Sequence, residues 1–167
     1  MPLLLARIDD RLIHGQVAYG WALPLRVEWI AIVSDSLRAR PSDAELYRLA
    51  APEGVEATVV SVGEAVRPEF QARVDSVRTL LLFPGPDEPL RLAEAGFPLR
   101  EVNVGGLHYA PGRREWLPYV YLDEADAQRL RALAARGVRV LARDLPDHPQ
   151  HDLGPTLLEG IDGEHKG

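Results

Sequence analysis

"LLLARIDDRLIHGQVAYGW", residues 3–21, passes from an apolar, strand-like run (3–8) through a charged loop (9–14) into a helical segment that begins near Gly15. Repeated along a chain, such strand–loop–helix units build a parallel sheet with helices on both faces. The rest of the sequence repeats the pattern. Short apolar or β-branched runs recur at 27–34, 55–61, 77–83, 100–105, 119–122 and 138–142, and most read as strands. Several are apolar nearly throughout, as strands covered on both faces require. Helical patterns lie between them. "SDAELYRLAA" (42–51) places Ser42 at an N-cap with a glutamate three residues on, the capping-box pattern. "DEADAQRLRALAARG" (123–137) opens on an acidic cap, sets Ala127, Leu130 and Leu133 on one face and stops at Gly137.

This rhythm predicts right-handed βαβ crossovers and an α/β fold: a three-layer α/β/α single domain with a mainly parallel sheet of about six or seven strands. "YVYL" (119–122) follows a loop instead of a helix and reads as a short or irregular strand. The expected division is a domain over 1–145 and a partly docked or disordered C-terminal tail over 146–167. Pro, Gly, His and acidic residues dominate that tail; its "TLLEGI" is expected to dock and its last residues to be disordered.

Composition narrows the function. A length of 167 residues suits one domain, and a net charge of −6 leaves no basic footprint for nucleic acid. Cysteine is absent, which excludes disulfides, thiolate metal sites and a cysteine nucleophile. The N-terminal apolar run is too short for a signal peptide, and no stretch reaches the roughly 20 apolar residues of a membrane helix. A cytoplasmic location is expected.

Chemistry concentrates in residues 7–16. In parallel α/β sheets, reactive groups gather in the loops at the carboxyl ends of the strands. His14 falls in such a loop, with Arg11 three residues before it and Arg7 near the end of the strand. The following helix turns unpaired N–H groups toward the loop, and Gly15 has no Cβ to obstruct an approaching group. One of Asp9 and Asp10 is placed to hold an arginine, the other to orient the imidazole. The set suits a neutral imidazole attacking a phosphoryl group, with Arg11 neutralising its oxygens. The competing reading is a histidine that merely begins a helix, beside a solvated Arg/Asp network.

Elsewhere, "NVGGLHY" (103–109) places Asn103, Gly105 and Gly106 at a strand end facing the same crevice, either as support for a phosphate or as plain turn chemistry. His108 reads as a surface or contact residue. Asp35, at the end of the second strand, is placed to brace Arg7 or Arg11. His148, His151 and His165 lack metal-ligand spacing, so no metal site is expected. Trp21, Trp29 and Trp116 suit core or interface equally.

The run "RIDDRLIHGQVAYGW" (7–21) closely resembles the active-site signature of the mannose/sorbose-family IIB subunit of the bacterial phosphoenolpyruvate-dependent sugar phosphotransferase system (PTS). Similarity continues through "IAIVSD" (30–35), "AAPEGV" (50–55), "VNVGG" (102–106) and "GVRVLARDLP" (137–146), nearly the whole chain. The resemblance implies a cytoplasmic phosphocarrier, a protein-N(π)-phosphohistidine–sugar phosphotransferase, in which His14 accepts a phosphoryl group from a IIA protein or domain. His14 then passes it to a sugar held by membrane IIC/IID subunits, so the carrier works at the inner face of the membrane. Arg11 would contact the phosphoryl group, and Arg7 and Asp9 would brace the loop. Asp10, Gly15, Gln16, Asp35, Asn103, Gly105 and Gly106 are the supporting positions.

No cofactor is implied, because the phosphoryl group derives from phosphoenolpyruvate through upstream carriers. No nucleic-acid partner is expected, and self-association is open. "SLRARP" (36–41) departs from the small and acidic residues common in the family. Arg38 and Arg40 are expected to join Arg7 and Arg11 in a positive rim that steers an acidic IIA surface. Two rivals are a regulatory phospho-acceptor without transport and a non-catalytic module binding a phosphate-containing ligand.

Overall fold

The computed structural model describes residues 3–162. Seven strands form one sheet in the order β3-β2-β4-β1-β5-β8-β9, comprising β1 (Leu3–Asp9), β2 (Trp29–Val33), β3 (Glu56–Val60), β4 (Thr79–Phe83), β5 (Glu101–Gly106), β8 (Arg139–Ala142) and β9 (His151–Asp152). All pairings are parallel except β8 with β9. The mainly parallel, three-layer α/β/α expectation therefore holds, with a difference at one strand. Residues 119–122 contribute β7 (Val120–Leu122), which leaves the main sheet and pairs antiparallel with β6 (Arg114–Leu117). The main-sheet side of this hairpin is touched only by a parallel bridge of Val120 to Leu107, just past the end of β5, where the Leu107 N–H donates to the Tyr119 carbonyl at 3.0 Å and the Tyr121 N–H to the Leu107 carbonyl at 2.8 Å.

Side-chain alternation sends each strand into two cores. Ala6 and Ile8 of β1, Trp29, Ala31 and Val33 of β2, and Leu81 and Phe83 of β4 face one side. That side is covered by α3 (Val62–Ala65), α4 (Pro68–Ser76), α5 (Asp87–Glu94), α6 (Glu124–Ala135) and α7 (Gly154–Asp162). Ile30, Ile32, Leu80 and Leu82 face the other side. There they meet Val17, Ala18, Trp21 and Ala22 of a π-helix (Gln16–Ala22), Leu37 of α1 (Asp35–Arg38) and Tyr47 of α2 (Pro41–Ala50). The same two-residue period puts Arg7 and Asp9 on the π-helix side of β1, where an otherwise apolar strand carries its charges.

Cap chemistry corrects one boundary. Helix α2 begins at Pro41, which occupies the first turn, and Arg40 is the cap without a side-chain bond, so Ser42 lies inside the helix. Proline at the first helical position needs no N–H there, and this outweighs the serine signal. True capping boxes occur at Ser61/Glu64 and Asp123/Asp126. Helix α6 follows its sequence pattern, with Ala127, Leu130 and Leu133 buried and Gly137 in the left-handed region. Beyond residue 145, β9 adds to the sheet edge, Leu153 and Leu157 are buried, and Arg131 Nε donates to the Leu157 carbonyl at 2.8 Å. The disorder expected of the last residues falls on 163–167, outside the described residues. No helix among the described residues is long and apolar enough to cross a membrane.

Candidate active site

Strand order brings the carboxyl ends of β1, β5 and β8 side by side, and the loop after β1 rises beside those of β5 and β8. Two features hold that loop. The Leu12 N–H closes a turn on the Asp9 carbonyl at 3.0 Å, with Leu12 itself at φ 57°. A bulky residue in the left-handed region is strained, by on the order of 1–2 kcal/mol. Burial of Leu12 and Ile13 in the π-helix-side core offsets that strain and pins the loop. The segment beyond is wound as a π-helix, with the Leu23 N–H reaching the Ala18 carbonyl and the Val27 N–H the Ala22 carbonyl. π-Winding inside a protein frequently marks a functional segment.

Asp9 organises the site. Its Oδ2 lies 2.9 Å from His14 Nε2 and 3.4 Å from Arg7 Nη2, and its Oδ1 accepts the Arg11 backbone N–H at 3.1 Å. Asp9 and Arg7 are fully buried, whereas the His14 side chain is partly exposed. A carboxylate can only accept hydrogen bonds, so this contact holds a proton on Nε2, and Nδ1 is the ring nitrogen that carries the lone pair whenever the imidazole is neutral.

Arg7 locks Asp9 in turn. Its Nη1 donates to Asn103 Oδ1 at 2.8 Å and to the Arg143 carbonyl at 2.9 Å, and its Nη2 reaches the Asp144 carbonyl at 3.2 Å. Trp21 stacks 5.0 Å from the guanidinium and donates its indole N–H to the same Asp144 carbonyl at 2.8 Å. Burial pulls the Arg7 pKa below its ordinary value, and the Asp9 charge opposes that shift. An arginine remains a cation throughout.

The two glycines of β5 owe their identity to these side chains. A Cβ on Gly105 would stand 1.9 Å from Arg7 Cζ, and one on Gly106 would stand 3.1 Å from both Asp9 carboxylate oxygens. Both lie inside the strand and form no turn. They open the space in which the Arg7–Asp9 pair is buried.

Arg11 and Gly15 remain on the outside. Among the described residues the Arg11 guanidinium, which is exposed, has no side-chain partner. Gly15 has ordinary right-handed helical angles, and a Cβ there would meet nothing within 4 Å. The fold gives no reason for a glycine at this position. Gln16 opens the π-helix beside it, partly exposed.

Three sequence expectations are corrected. Asp10 orients neither His14 nor Arg7. Its carboxylate takes the backbone N–H of His108 at 2.8 Å and His108 Nδ1 at 2.6 Å, with Arg113 3.8 Å away. Asp9 does both jobs because both of its partners lie on the π-helix side of the sheet. Asp35 does not reach the site, since β4 separates β2 from β1. It accepts from the Val62 N–H and pairs with Arg91, both at 2.8 Å, and these contacts hold its carboxyl below the usual range. The positive rim also shrinks. Arg7 is buried, Arg38 pairs with Glu64 at 2.8 Å and Arg40 with Asp43 at 3.1 Å, which leaves Arg11. The sequence reading missed the Arg143 and Asp144 carbonyls. Only the adjacency of β8 to β5 reveals them, and that adjacency is a property of topology.

Beside Asp35, burial pushes the Glu88 carboxyl up to about 7. Between its unfolded value and that value, the native state binds the extra proton, so stability falls as pH rises through this interval. Thermal melts between about pH 5 and pH 8 are expected to show that decline, and Glu88→Gln to flatten it. An unchanged slope in the variant would show that Glu88 is ionised in the native state.

With the site assembled, the comparisons with known proteins identify the chain. Residues 3–163 match the profile described as the PTS system sorbose subfamily IIB component. The chain belongs to this family of IIB components. The PTS system fructose-specific EIIB component of Bacillus subtilis (strain 168) is 35% identical over 157 residues, covering 94% of this IIB chain and 96% of that protein. The PTS system mannose-specific EIIAB component of Escherichia coli (strain K12) is 38% identical over 162 residues, which is 97% of this chain but 50% of that longer protein. Among solved structures, the IIBSor domain of the sorbose permease from Klebsiella pneumoniae superposes with a TM-score of 0.84 at 32% identity, covering 95% of this chain and 98% of that one.

Proposed function

We propose that this IIB chain is a phosphocarrier in PTS sugar uptake, with His14 Nδ1 as the atom that bears the phosphoryl group. The 2.9 Å contact between Asp9 Oδ2 and His14 Nε2 carries the assignment. With its proton held on Nε2, the imidazole presents a lone pair at Nδ1. As the Nδ1–P bond forms and the donor's P–N bond breaks, the positive charge that develops on the ring lies against the Asp9 carboxylate. Arg7 keeps that carboxylate in place from below. The Arg11 guanidinium, with no side-chain partner among the described residues, is available to grip two phosphoryl oxygens at once.

In the second half-reaction the Nδ1–P bond breaks, the electron pair returns to the ring and the phosphoryl group joins a sugar hydroxyl, which releases its proton. A IIA protein or domain is the donor, in keeping with the joined EIIAB relative. The acceptor sugar is held by membrane IIC/IID subunits, and the carrier meets them at the inner face of the membrane. The chain itself supplies nucleophile and counter-charge, with no metal or organic cofactor.

Incubation with a phosphorylated IIA protein is expected to add one acid-labile phosphate at His14, with ¹⁵N shifts placing it on Nδ1. Labelling on Nε2, or none, would refute the assignment. Arg11→Lys keeps the charge but loses the two-pronged grip, so single-turnover transfer is expected to slow by about 10²-fold. A wild-type rate would reassign Arg11 to structure.

A further inference from the structure

The contacts that orient His14 do not end at Arg7. From the imidazole they run to Asp9 at 2.9 Å, from Asp9 to Arg7 at 3.4 Å, and from Arg7 to Trp21, whose ring centroid lies 5.0 Å from Cζ. Trp21 belongs to the π-helix that follows His14, so the circuit closes on the chain's next element. Two further observations hold Trp21 in that circuit. Its indole N–H and Arg7 Nη2 donate to one acceptor, the Asp144 carbonyl, at 2.8 and 3.2 Å. The π-helix also lies tight against the segment after β8, since a Cβ on Gly20 would stand 2.6 Å from Leu145 Cδ2. Arg7 Nε is buried without a hydrogen-bond partner among the described residues. Oxygen acceptors alone therefore leave the guanidinium incomplete, and the electron-rich indole face supplements them.

We infer that Trp21 is a positioning residue for phosphoryl transfer, an inference that rests on the phosphocarrier reading: it fixes Arg7, and through Arg7 and Asp9 it sets the orientation of the His14 imidazole. The Arg7–Asp9 contact is the sensitive link. N–H···O bonds normally span about 2.7–3.2 Å, and this one, at 3.4 Å, already lies beyond that range. A small further displacement of the guanidinium breaks it. Asp9 would then keep only its bond to the Arg11 N–H, and His14 Nε2 would lose an acceptor fixed in space. Trp21 is 4% exposed, so it acts on Arg7 and offers no surface to a docking partner. Trp29 supplies an internal control. It is 2% exposed, lies under the Arg73 guanidinium at 3.9 Å and donates its indole N–H to Thr58 Oγ1 at 2.6 Å, but β4 stands between its strand and β1.

The test compares Trp21→Phe, which keeps a ring over Arg7 and deletes the N–H, with Trp21→Leu, which deletes both, and with Trp29→Phe. Melting, the ¹⁵N shifts of the neutral His14 ring, and kcat and KM for acceptance from a phospho-IIA protein that phosphorylates the wild type are measured on each. Trp29→Phe is expected to lose stability alone. In the Trp21 variants kcat is expected to fall, by about threefold for Trp21→Phe, the worth of one neutral hydrogen bond. For Trp21→Leu the fall is about tenfold, as when the outer partner of an oriented histidine is removed. KM is expected to hold, and the ¹⁵N shifts to show the Nδ1–H form gaining on the Nε2–H form. Should Trp21→Leu fail to fold, Trp21→Phe decides alone. Wild-type kcat and shifts in Trp21→Phe would overturn the proposal, whatever its Tm. The same losses in Trp29→Phe, or a change confined to KM, would overturn it too. Failure of phosphoramidate to label His14 in the wild type would instead refute the phosphocarrier reading, and the ¹⁵N shifts would still test how the ring is positioned.

Discussion

Replacing His14 with alanine is expected to abolish phosphoryl acceptance while leaving the fold in place. The side chain is 24% exposed and makes one polar contact, to Asp9. Without it, Asp9 keeps its bonds to Arg7 and to the Arg11 N–H, so no buried carboxylate is left unpaired. The loss is that of a single hydrogen bond, about 1 kcal/mol, or about 2–4 °C in Tm for a domain of this size. Function has no such reserve, because the nucleophilic atom itself is gone. Intact-mass measurement after incubation with phospho-IIA is expected to show no acid-labile adduct, with near-native circular dichroism. Undiminished labelling would move the site. His108 would be the first suspect, since Asp10 holds its Nδ1 and its Nε2 has no partner among the described residues.

Where the strands lie was legible because each is a dense apolar run bounded by polar residues. Their burial on both faces erased the alternation that would have ordered them. Strand 119–122 shows the cost. Its composition matches the sheet strands, yet only the absence of a preceding helix marks it as foreign, and its antiparallel partner at 114–117 contains two charges and a tryptophan that give little strand signal. The place left in the sheet is taken by His151–Asp152, two polar residues that no hydrophobic pattern could reveal. Short helices such as Asp35–Arg38 and Val62–Ala65 escaped for a related reason: a four-residue helix is too short to display a period.

At the candidate site, local chemistry was legible and long-range pairing was not. His14, Arg11, Arg7 and Asp9 lie within eight residues, so their meeting follows from one strand and one turn. Dividing the work between Asp9 and Asp10 required knowing which face of β1 each serves. The glycines of β5 looked like turn residues because sequence shows that a Cβ is missing but not which side chain fills its place. Register supplies the answer, since Arg7 pairs with Asn103 and Asp9 with Gly106 across adjacent strands.

That register makes Gly105→Ala the most disruptive single-methyl change expected in this protein. The added Cβ would stand 1.9 Å from Arg7 Cζ and 2.1 and 2.2 Å from its two terminal nitrogens, all far inside van der Waals contact. Elsewhere a long side chain would swing aside. Here the guanidinium is held by Asn103, two carbonyls, Asp9 and the face of Trp21, in a space with no exposed surface. Displacing it would leave a buried carboxylate without its cation, which costs about 3–5 kcal/mol. The Tm is then expected to drop by about 6–20 °C. Phosphorylation of His14 should fall with it, because an unbraced Asp9 no longer fixes the imidazole. A double-mutant cycle with Arg7→Ala separates this cause from a backbone effect: once Arg7 is removed, Gly105→Ala should cost about 1 kcal/mol or less. A full penalty in the Arg7→Ala background would show that Gly105 is needed for its own backbone and not for the room it gives Arg7.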